Sequence, residues 1–474
     1  MSGDNGGSSG GASTGGSLSA TPSAGANDAL ALLRQPATIR LRCRAILQAV
    51  LDERSAYFRI DSGRLDEAAD RVAALTRRRF PDLTRIALHS RWRHFEAGGV
   101  DRKAELDRLL EGRSAHDAAR ARIDLTVVSV LLDAGAGGVW RYVEGGQEYR
   151  RSEGLGVASL RAFMQGRFSA RPDDDPLRAD AERLATLDGA ALKPVFQITG
   201  ENPMIGLEGR AALLARLGRA MIERQQRAGA GVAAGGQGRE AARKAAATAA
   251  TTATTTTTEE STLLRPSQIY DRLLRPREED GSHAMVTTSA AAVLAEVLRL
   301  TAPAWASGSV VMGQPAGDMW THRWAGDALP GGQRDRFTAG VVPFHKLSQW
   351  LTYSLIEPLQ WAGVTVTAVE ELTGLPEYRN GGLLLDTGVI VPRDAHAVDR
   401  RWKPGDEFIV EWRALTVALL DEVADRVRER LAAPALPLAC ILEGGTWAAG
   451  REIAAERRAG GVPPLVIESD GTIF

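Results

Sequence analysis

The fold is decided by the stretch Pro343-Phe-His-Lys-Leu-Ser-Gln-Trp-Leu-Thr-Tyr-Ser-Leu-Ile-Glu-Pro358, in which leucine recurs every four residues, at positions 347, 351 and 355 and again at 359. This spacing places the leucines on one face of an α-helix. Pro343 suits the first turn of such a helix, and Pro358 should end or kink it. The stretch therefore predicts an amphipathic helix whose apolar face packs into a core.

The same periodicity extends outward along the chain. Residues 123–132 are apolar nearly all round and precede Gly135, which predicts a buried helix with a glycine stop. Residues 409–431 are amphipathic. Other helices are predicted near residues 28–50, 64–80, 101–111, 114–134, 152–166, 176–188, 207–224, 266–275 and 284–301. Strand alternation is confined to short pieces at 438–442 and 465–467, so we expect a mainly α, multi-helical protein with minor β structure at the C-terminus.

Two segments have a composition that cannot build a core. Residues 1–28 are rich in Gly, Ser, Ala and Thr, and residues 225–262 end in an Ala/Thr tract. Both are predicted to be disordered, the first as a tail and the second as an insertion. The folded protein is then residues 29–224 and 263–474, and the C-terminal part carries most of the candidate site. Composition leaves one body or two domains open, and we favour one body because neither part alone has a complete set of site residues.

Charge and hydropathy exclude several classes of partner. The chain has 58 Lys and Arg against 59 Asp and Glu, a formal net charge of -1, whereas a general nucleic-acid binder needs excess positive charge. A local basic pocket for one phosphate remains open. No run approaches the roughly 20 apolar residues of a membrane helix. Cys43 and Cys440 lie among apolar neighbours, which favours buried thiols in a reducing, cytoplasmic setting.

Three clusters combine polar and aromatic residues. The first follows the buried helix and contains Trp140 in Gly138-Val-Trp-Arg-Tyr142 and Arg151 in Tyr149-Arg-Arg-Ser-Glu-Gly154. A loop that carries an indole and a guanidinium could stack a base or clamp a phosphate. Residues 151–153 also have the pattern of a helix N-terminus, where an anion can bind. The alternative is a surface turn with solvated charges.

The second cluster is Gly317-Asp-Met-Trp-Thr-His-Arg-Trp324. Apolar walls would raise the pKa of Asp318, and His322 could donate a proton to a leaving group. Trp320 would form one wall of the site. The alternative is an aromatic plug with one capping residue.

The third cluster joins the helix that opens this section to the turn Leu375-Pro-Glu-Tyr-Arg-Asn-Gly-Gly382. On the helix, His345 and Gln349 share a stripe with Tyr353, and Lys346 lies beside it. The turn contributes Glu377, Tyr378, Arg379 and Asn380. These side chains could converge on a ligand, or Glu377 and Arg379 could simply pair to hold the turn.

Signals for a metal or cofactor are weak. Of the seven histidines, only His89 and His94 approach metal-ligand spacing, and that pair is better explained as one face of a helix. The sequence has no phosphate-binding glycine loop of the Walker type, no dinucleotide fingerprint and no His-Glu-x-x-His motif. We therefore expect neither a metal nor another cofactor.

Together the clusters resemble the uracil-catabolism protein family of fungi and bacteria, formerly a domain of unknown function. The resemblance covers nearly the whole folded chain. It implies a place in a pathway in which a protein similar to GTP cyclohydrolase II opens the pyrimidine ring, after which ribosylurea or its phosphate must lose urea. The runs that carry it are Val139-Trp-Arg-Tyr142, Arg151-Ser-Glu-Gly154, Asn202-Pro203, Gly206-Leu-Glu-Gly-Arg210, Pro343-Phe-His-Lys346, Leu375-Pro-Glu-Tyr-Arg379 and Glu443-Gly-Gly-Thr-Trp-Ala-Ala-Gly450.

A second resemblance concerns the C-terminal half. Phe344-His-Lys346 with Gln349, and then Glu377-Tyr-Arg379, are similar to a run in queuosine salvage N-glycosidases. That family implies a helical fold akin to DNA glycosylases. It carries Asp where this chain has Glu377, so the carboxylate need not have the same geometry.

The resulting hypothesis is an N-ribosidase that acts on a small nucleotide-derived substrate and releases urea from ribosylurea or its 5′-phosphate. A carboxylate, Asp318 or Glu377, would stabilise the oxocarbenium charge, with a preference for Asp318. Arg379, Lys346 and Arg151 are the phosphate candidates. Two alternatives remain open: an amidohydrolase that attacks the ureido carbon, and a non-catalytic accessory protein of the ring-opening step. A DNA glycosylase is disfavoured by the neutral net charge.

Overall fold

The computed structural model describes residues 24–133, 136–234, 264–278, 286–305, 310–311, 313–327 and 338–468. Within these ranges the chain is mainly helical, as predicted. The helices are α1 (Ala24–Leu33), α2 (Pro36–Leu51), α3 (Leu65–Arg79), α4 (Trp92–Phe95), α5 (Arg102–Leu109), α6 (Ala115–Leu131), α7 (Arg151–Met164), α8 (Ala181–Ala185), α9 (Gly189–Leu192), α10 (Leu207–Ala234), α11 (Gln268–Glu278), α12 (Ala290–Thr301), α13 (Lys346–Trp361), α14 (Tyr378–Asp386), α15 (Glu407–Leu431), α16 (Leu438–Ile441) and α17 (Trp447–Arg457).

The strands of the described residues are short and form two-stranded pairs. Antiparallel pairs join β1 (Phe58–Ile60) to β10 (Ile390–Pro392), β2 (Arg141–Glu144) to β3 (Gln147–Arg150), β5 (Val310–Val311) to β6 (Gln314–Pro315), and β7 (Met319–Thr321) to β8 (Val341–Pro343). Parallel pairs join β4 (Val286–Ser289) to β9 (Val364–Thr367) and β11 (Arg401–Trp402) to β12 (Val466–Ile467). Several pairs link residues far apart in sequence, so they fasten loops onto the helical body.

The helical layers share one core. Helix α13 packs against α6 and α12, and α15 packs against α2 and α3. Because α6 is apolar nearly all round, it is buried along most of its length. A single cluster of buried apolar side chains runs from Ile39 to Leu465 and takes residues from both sides of the predicted insertion. The protein is therefore one mainly α body.

Several element boundaries differ from the predictions. Residues 438–442 were predicted as a strand, which was wrong: Leu438–Ile441 is helical and a π-helical turn, Leu442–Thr446, follows. An apolar run of five residues cannot by its pattern distinguish a strand from a buried helix. Conversely, the β-branched run Val286–Ser289 is a strand and not the start of the predicted helix.

The central helix is displaced by three residues. Pro343 lies in β8, and α13 begins at Lys346, because His345 adopts a left-handed φ of 49° that no regular helix contains. Pro358 does not end the helix, which continues to Trp361. Helix α10 continues to Ala234, beyond its predicted end near residue 224. Of the two predicted disordered segments, residues 1–23 and 235–262 lie outside the described residues. None of the described helices is long and apolar enough to cross a lipid bilayer.

Candidate functional site

A cavity of about 580 Å³ lies where the two sequence parts meet. Its walls come from the C-terminal end of α6, the start of α7, the start of α13, the first turn of α14 and the chain around β12. The volume falls within the range of about 300–1,000 Å³ that is common for pockets holding small molecules. Six of the twelve predicted site residues line it: Arg151, Lys346, Glu377, Tyr378, Arg379 and Asn380.

Glu377 is fixed at the N-terminus of α14. Its two carboxylate oxygens accept hydrogen bonds from the backbone nitrogens of Arg379 and Asn380, at 2.7 and 2.6 Å. An acidic group at this position caps the helix and interacts favourably with its dipole. Residues 377–380, predicted as a turn, are thus the first turn of a helix. Burial raises the pKa of Glu377, although the charge of Lys346 opposes the shift.

Lys346 is the first residue of α13 and lines the same cavity. Burial lowers the pKa of Lys346, while the charges of Glu377 and Asp133 act in the opposite direction. The neutral form of each group, Glu377 and Lys346, is thus favoured by desolvation. Two groups whose charged forms are both disfavoured by burial are suited to exchanging a proton with a ligand between them.

Asp133 is a second carboxylate on the cavity wall, and the sequence analysis missed it. It follows α6 directly, and its Oδ1 is 3.0 Å from Nη1 of the buried Arg91. Ser152 donates a hydrogen bond to Oδ2 at 3.2 Å. Asp133 and Glu377 line the cavity together with Lys346, and the charges of both raise the pKa of Lys346 against the effect of burial.

Two histidines and a tryptophan form another wall. Trp350 lies 6.3 Å from the ring of His89 and 5.9 Å from the ring of His94, measured between centroids. His94 Nδ1 is 3.1 Å from Arg91 Nη1, and a guanidinium can only donate, so the imidazole proton is on Nε2. Burial and the charge of Arg91 lower the pKa of His94 to about 4. His94 therefore offers the cavity a neutral N–H donor at physiological pH.

Two guanidinium groups of the cavity are held by the Gly460–Gly461 turn. Arg151 Nη2 donates to the carbonyl of Gly460 at 3.2 Å, and Arg379 Nη1 donates to the carbonyl of Gly461 at 3.0 Å. The two glycines have φ values of 71° and 60°, which side chains disfavour, so this turn requires glycine to present adjacent carbonyls. The Arg379 guanidinium also lies over the ring of Tyr378, 4.8 Å from its centroid.

Four buried polar atoms of the cavity-lining side chains have no hydrogen-bond partner among the described residues. Asp133 Oδ1 is at least ion-paired with Arg91, and the other three are Arg379 Nε, Asn380 Oδ1 and Trp350 Nε1. Asn380 Nδ2 donates to the Leu375 carbonyl at 3.1 Å, which fixes the amide orientation because a carbonyl can only accept. A buried acceptor and a buried donor without partners are costly in a folded protein. They indicate a ligand that supplies both an N–H and a carbonyl oxygen.

Asp318, the preferred catalytic residue of the sequence analysis, is not among the residues that line the cavity. It is paired with Arg413 in the protein interior and accepts hydrogen bonds from Trp320 Nε1 at 2.7 Å and from the backbone nitrogen of Lys346 at 3.0 Å. Burial alone would raise the pKa of Asp318, but the charge and hydrogen bonds of Arg413 lower it to about 2. The expectation of a raised pKa was wrong, since the walls include a buried arginine. Asp318 holds the start of α13, including Lys346.

His322, Trp320 and Trp140, the other predicted site residues of the first two clusters, are also absent from the cavity wall. His322 Nε2 lies 3.2 Å from Oε2 of Glu411, which also accepts a hydrogen bond from Ser55. Trp320 is held by Asp318 through its indole nitrogen. Trp140 is fully buried and donates to the Phe196 carbonyl at 2.9 Å. These side chains hold loops in place.

His345 and Gln349 have structural partners too, and neither lines the cavity. His345 Nε2 donates to the Leu33 carbonyl at 3.2 Å and thereby links α1 to the start of α13. Gln349 donates to the Phe344 carbonyl at 3.0 Å and accepts from the Thr373 backbone nitrogen at 2.9 Å. The polar stripe on α13 thus satisfies buried backbone groups.

Some of the missed residues carried a signal in the sequence. Asp133 directly follows the apolar end of a buried helix, where a carboxylate is unusual. His89 and His94 were assigned to one helix face, but only His94 lies in α4, and both histidines line the cavity. Trp447 also lines it and belongs to one of the runs that carried the family resemblance.

Both cysteines are buried, as predicted, and burial raises the pKa of the Cys440 thiol to about 11. Within the described ranges, no group of three or more His, Cys, Asp or Glu side chains could hold a metal ion.

Comparison with known proteins gives a family and two relatives. A family model described as Protein of unknown function (DUF1688) matches residues 32–474. Protein urg3 of Schizosaccharomyces pombe is 36% identical over 445 residues, which cover 92% of this chain and 96% of that protein. Uracil catabolism protein 4 of Lachancea kluyveri is 32% identical over 448 residues, which cover 89% of this chain and 93% of that protein.

Proposed function

The chain belongs to the DUF1688 family, and from that premise we propose that it acts in uracil catabolism as an N-ribosidase that releases urea from ribosylurea or its 5′-phosphate. The name of the Lachancea kluyveri relative supports the pathway. The resemblance to queuosine salvage N-glycosidases supports the bond that is cleaved.

One observation carries the proposal. One cavity is lined by the carboxylates of Glu377 and Asp133 and by Lys346, whose pKa is lowered by burial. The guanidinium groups of Arg151 and Arg379 line it too. Cleavage of a C1′–N bond needs a negative charge near the sugar and a proton for the leaving nitrogen. The cavity contains both kinds of group.

In the reaction, the C1′–N bond breaks and its electron pair goes to the leaving nitrogen, which takes up a proton and departs as urea. Water forms the new C1′–O bond and gives up a proton. Glu377 is the fixed carboxylate that stabilises the oxocarbenium charge and receives the proton from water. Lys346, whose pKa is lowered by burial, supplies the proton to the ureido nitrogen. The negative charge of Asp133 favours the protonated form of the lysine.

The ureido group has matching partners in the same cavity. Trp350 Nε1 and His94 Nε2 can each donate to the ureido oxygen, and Asn380 Oδ1 can accept from a ureido N–H. Gln349 does not contribute to this role, because its amide is occupied by Phe344 and Thr373. The ring of Tyr378 would cover the sugar and keep water from its face.

The test is to incubate the purified full-length protein with ribosylurea 5′-phosphate, and separately with ribosylurea, and to quantify urea and free sugar. The proposal expects urea and sugar in equal amounts, with no ammonia. Ammonia and carbon dioxide without urea would instead support an amidohydrolase. Binding of ribosylurea 5′-phosphate without any product would overturn the enzymatic proposal and favour an accessory protein of the ring-opening step.

A further inference from the structure

Resting on the proposed function, we infer that the substrate is a 5′-phosphate and that Arg151 and Arg379 hold its phosphate at the side of the cavity formed by the Gly460–Gly461 turn. The proposed function leaves open whether the sugar is phosphorylated. The arrangement of these two guanidinium groups favours the phosphorylated sugar.

The charges of Arg151 and Arg379 support this inference. Among the described residues, neither Arg151 nor Arg379 forms an ion pair, although ion pairs involve many other arginines of this chain. Both guanidiniums are held by neutral carbonyls, those of Gly460 and Gly461. Two cations without a carboxylate partner repel each other across a partly desolvated site. An anion with two or three acceptor oxygens removes this repulsion.

The backbone conformation of Arg151 and the side chain of Arg379 also support it. Arg151 is the first residue of α7 and has a φ of 54°, in the left-handed region that a non-glycine residue rarely adopts. Strain of this kind persists where surrounding structure holds it and is concentrated at ligand sites. The Arg379 Nε is buried and has no partner among the described residues, so this side chain retains a donor for an additional acceptor.

The positive charges near Arg151 also affect its pKa. The pKa of Arg151 is lowered by burial and by the nearby charges of Arg379 and Arg451. Arg451 is itself paired with Glu153 at 2.8 Å, so the excess positive charge belongs to Arg151 and Arg379. Arg401 and Glu468 line the same cavity with opposite charges and leave that excess unchanged. A phosphate would be stabilised by Arg151 and Arg379.

The two sides of the cavity then orient the substrate. The phosphate lies against Arg151 and Arg379, and the ureido group lies against Trp350 and Asn380. The sugar is held between them, beside Glu377. A small phosphate monoester fits this arrangement, whereas a polynucleotide would need a basic surface that the balanced charge of the chain does not favour.

The experiment measures binding and does not depend on cleavage. Ribose 5-phosphate, ribose and inorganic phosphate are titrated into the full-length protein by calorimetry. Because charge-assisted hydrogen bonds contribute most of the affinity for a phosphate, we expect ribose 5-phosphate to bind at least about tenfold more tightly than ribose. Inorganic phosphate should compete with ribose 5-phosphate.

The key variant is Arg151→Asn, because Asn tolerates a left-handed φ and the substitution removes the charge without straining the backbone. It should lose about tenfold in affinity for ribose 5-phosphate, and Arg151→Lys should restore part of the loss. The control is Arg150→Gln, which removes a neighbouring exposed charge that pairs with Glu148. Arg150→Gln should bind like the unmodified protein.

Equal affinity for ribose and ribose 5-phosphate would overturn the inference, as would an Arg151→Asn variant with unchanged affinity for ribose 5-phosphate. These outcomes are distinguishable from failure of the proposed function. If ribose 5-phosphate binds through Arg151 but ribosylurea 5-phosphate yields no urea, the phosphate site stands and the N-ribosidase activity does not.

Discussion

The carboxylate of Asp318 accepts hydrogen bonds from both terminal nitrogens of Arg413, each at 2.7 Å, and both side chains are buried. This bidentate pair joins the residue before β7 to the middle of α15. With both oxygens engaged by Arg413, Asp318 acts as a structural residue. A buried ion pair of this kind is costly to break because the remaining charge is left uncompensated.

We therefore expect Asp318→Asn to lower the free energy of unfolding by about 3–5 kcal/mol while the folded variant keeps its turnover. Guanidinium chloride titration, which does not interfere with urea detection, measures the stability. The control is Glu67→Gln, which disrupts an exposed pair with Arg64 and should cost less than about 1 kcal/mol. Loss of turnover in folded Asp318→Asn would instead show that Asp318 takes part in catalysis.

Glu377 has both a capping and a catalytic role in the proposal, and two substitutions separate them. Glu377→Asp keeps a carboxylate and a good N-cap residue, whereas Glu377→Gln keeps the length without the charge. We expect Glu377→Gln to lower kcat by at least about 100-fold and Glu377→Asp to retain more activity. Melting temperatures show whether α14 is intact. Similar kcat values for folded Glu377→Gln and the unmodified protein would argue against a catalytic carboxylate here.

The lowered pKa of Lys346 predicts the basic limb of the pH–rate profile. The proton-donating form exists below the folded pKa and is lost as pH rises through it, so kcat should fall at a pH below the ordinary lysine value of about 10.4. Lys346→Arg keeps the positive charge but cannot donate a proton near neutral pH, and Lys346→Met removes both. Both variants should lose about 100-fold in kcat. Activity retained by Lys346→Arg alone would mean that Lys346 acts through its charge.

Trp350 Nε1 is a buried donor without a partner among the described residues, so its removal should cost little stability. Trp350→Phe should leave the melting temperature unchanged or slightly higher, because it deletes an unsatisfied donor while retaining an aromatic ring. Affinity for ribosylurea 5-phosphate should nevertheless fall about tenfold, since a hydrogen bond to the ureido oxygen is lost. Calorimetry on a slow variant such as Glu377→Gln reports that affinity. Unchanged affinity would place the ureido group elsewhere.

His345 should make the protein sensitive to acid. Burial lowers its pKa to about 4, and the charges of Arg34 and Arg413 add to this against the opposing charge of Asp318. The unfolded chain takes up the proton near pH 6.5 and the folded chain does not, so stability is lost as pH falls from about 6.5 to about 4, by up to about 3 kcal/mol.

His94 has a lowered pKa in the same range, so the unmodified protein loses stability through both histidines. His345→Asn suits the left-handed backbone and removes one of them. Plots of melting temperature against pH should therefore be shallower for His345→Asn between pH 6.5 and 4. Parallel plots would show that His345 does not titrate in this window.

The sequence was informative where a feature is local. The leucine periodicity of residues 343–358 predicted the central helix within three residues, and the start of α7 at Arg151 was predicted directly. The family resemblance was confirmed by the match over residues 32–474. The left-handed His345, which delays α13 to Lys346, leaves no mark in a hydrophobic pattern.

The site was harder to predict because it depends on partners distant in sequence. Asp318 looked catalytic until Arg413, 95 residues away, was seen to neutralise it. Asp133 follows α6 and Glu377 caps α14, and the tertiary fold brings both to the wall of one cavity. No single-sequence pattern contains either relationship.

The cavity takes Asp133 and Arg151 from one side of the chain's low-complexity segment and Lys346, Glu377 and the Gly460–Gly461 turn from the other. A ligand in it is consequently a cross-link between two halves of the polypeptide. Binding therefore raises the free energy of unfolding, by about 2.7 kcal/mol when the ligand is present at a hundred times its dissociation constant. The protein would thus be more stable against unfolding in cells rich in substrate than in cells without it.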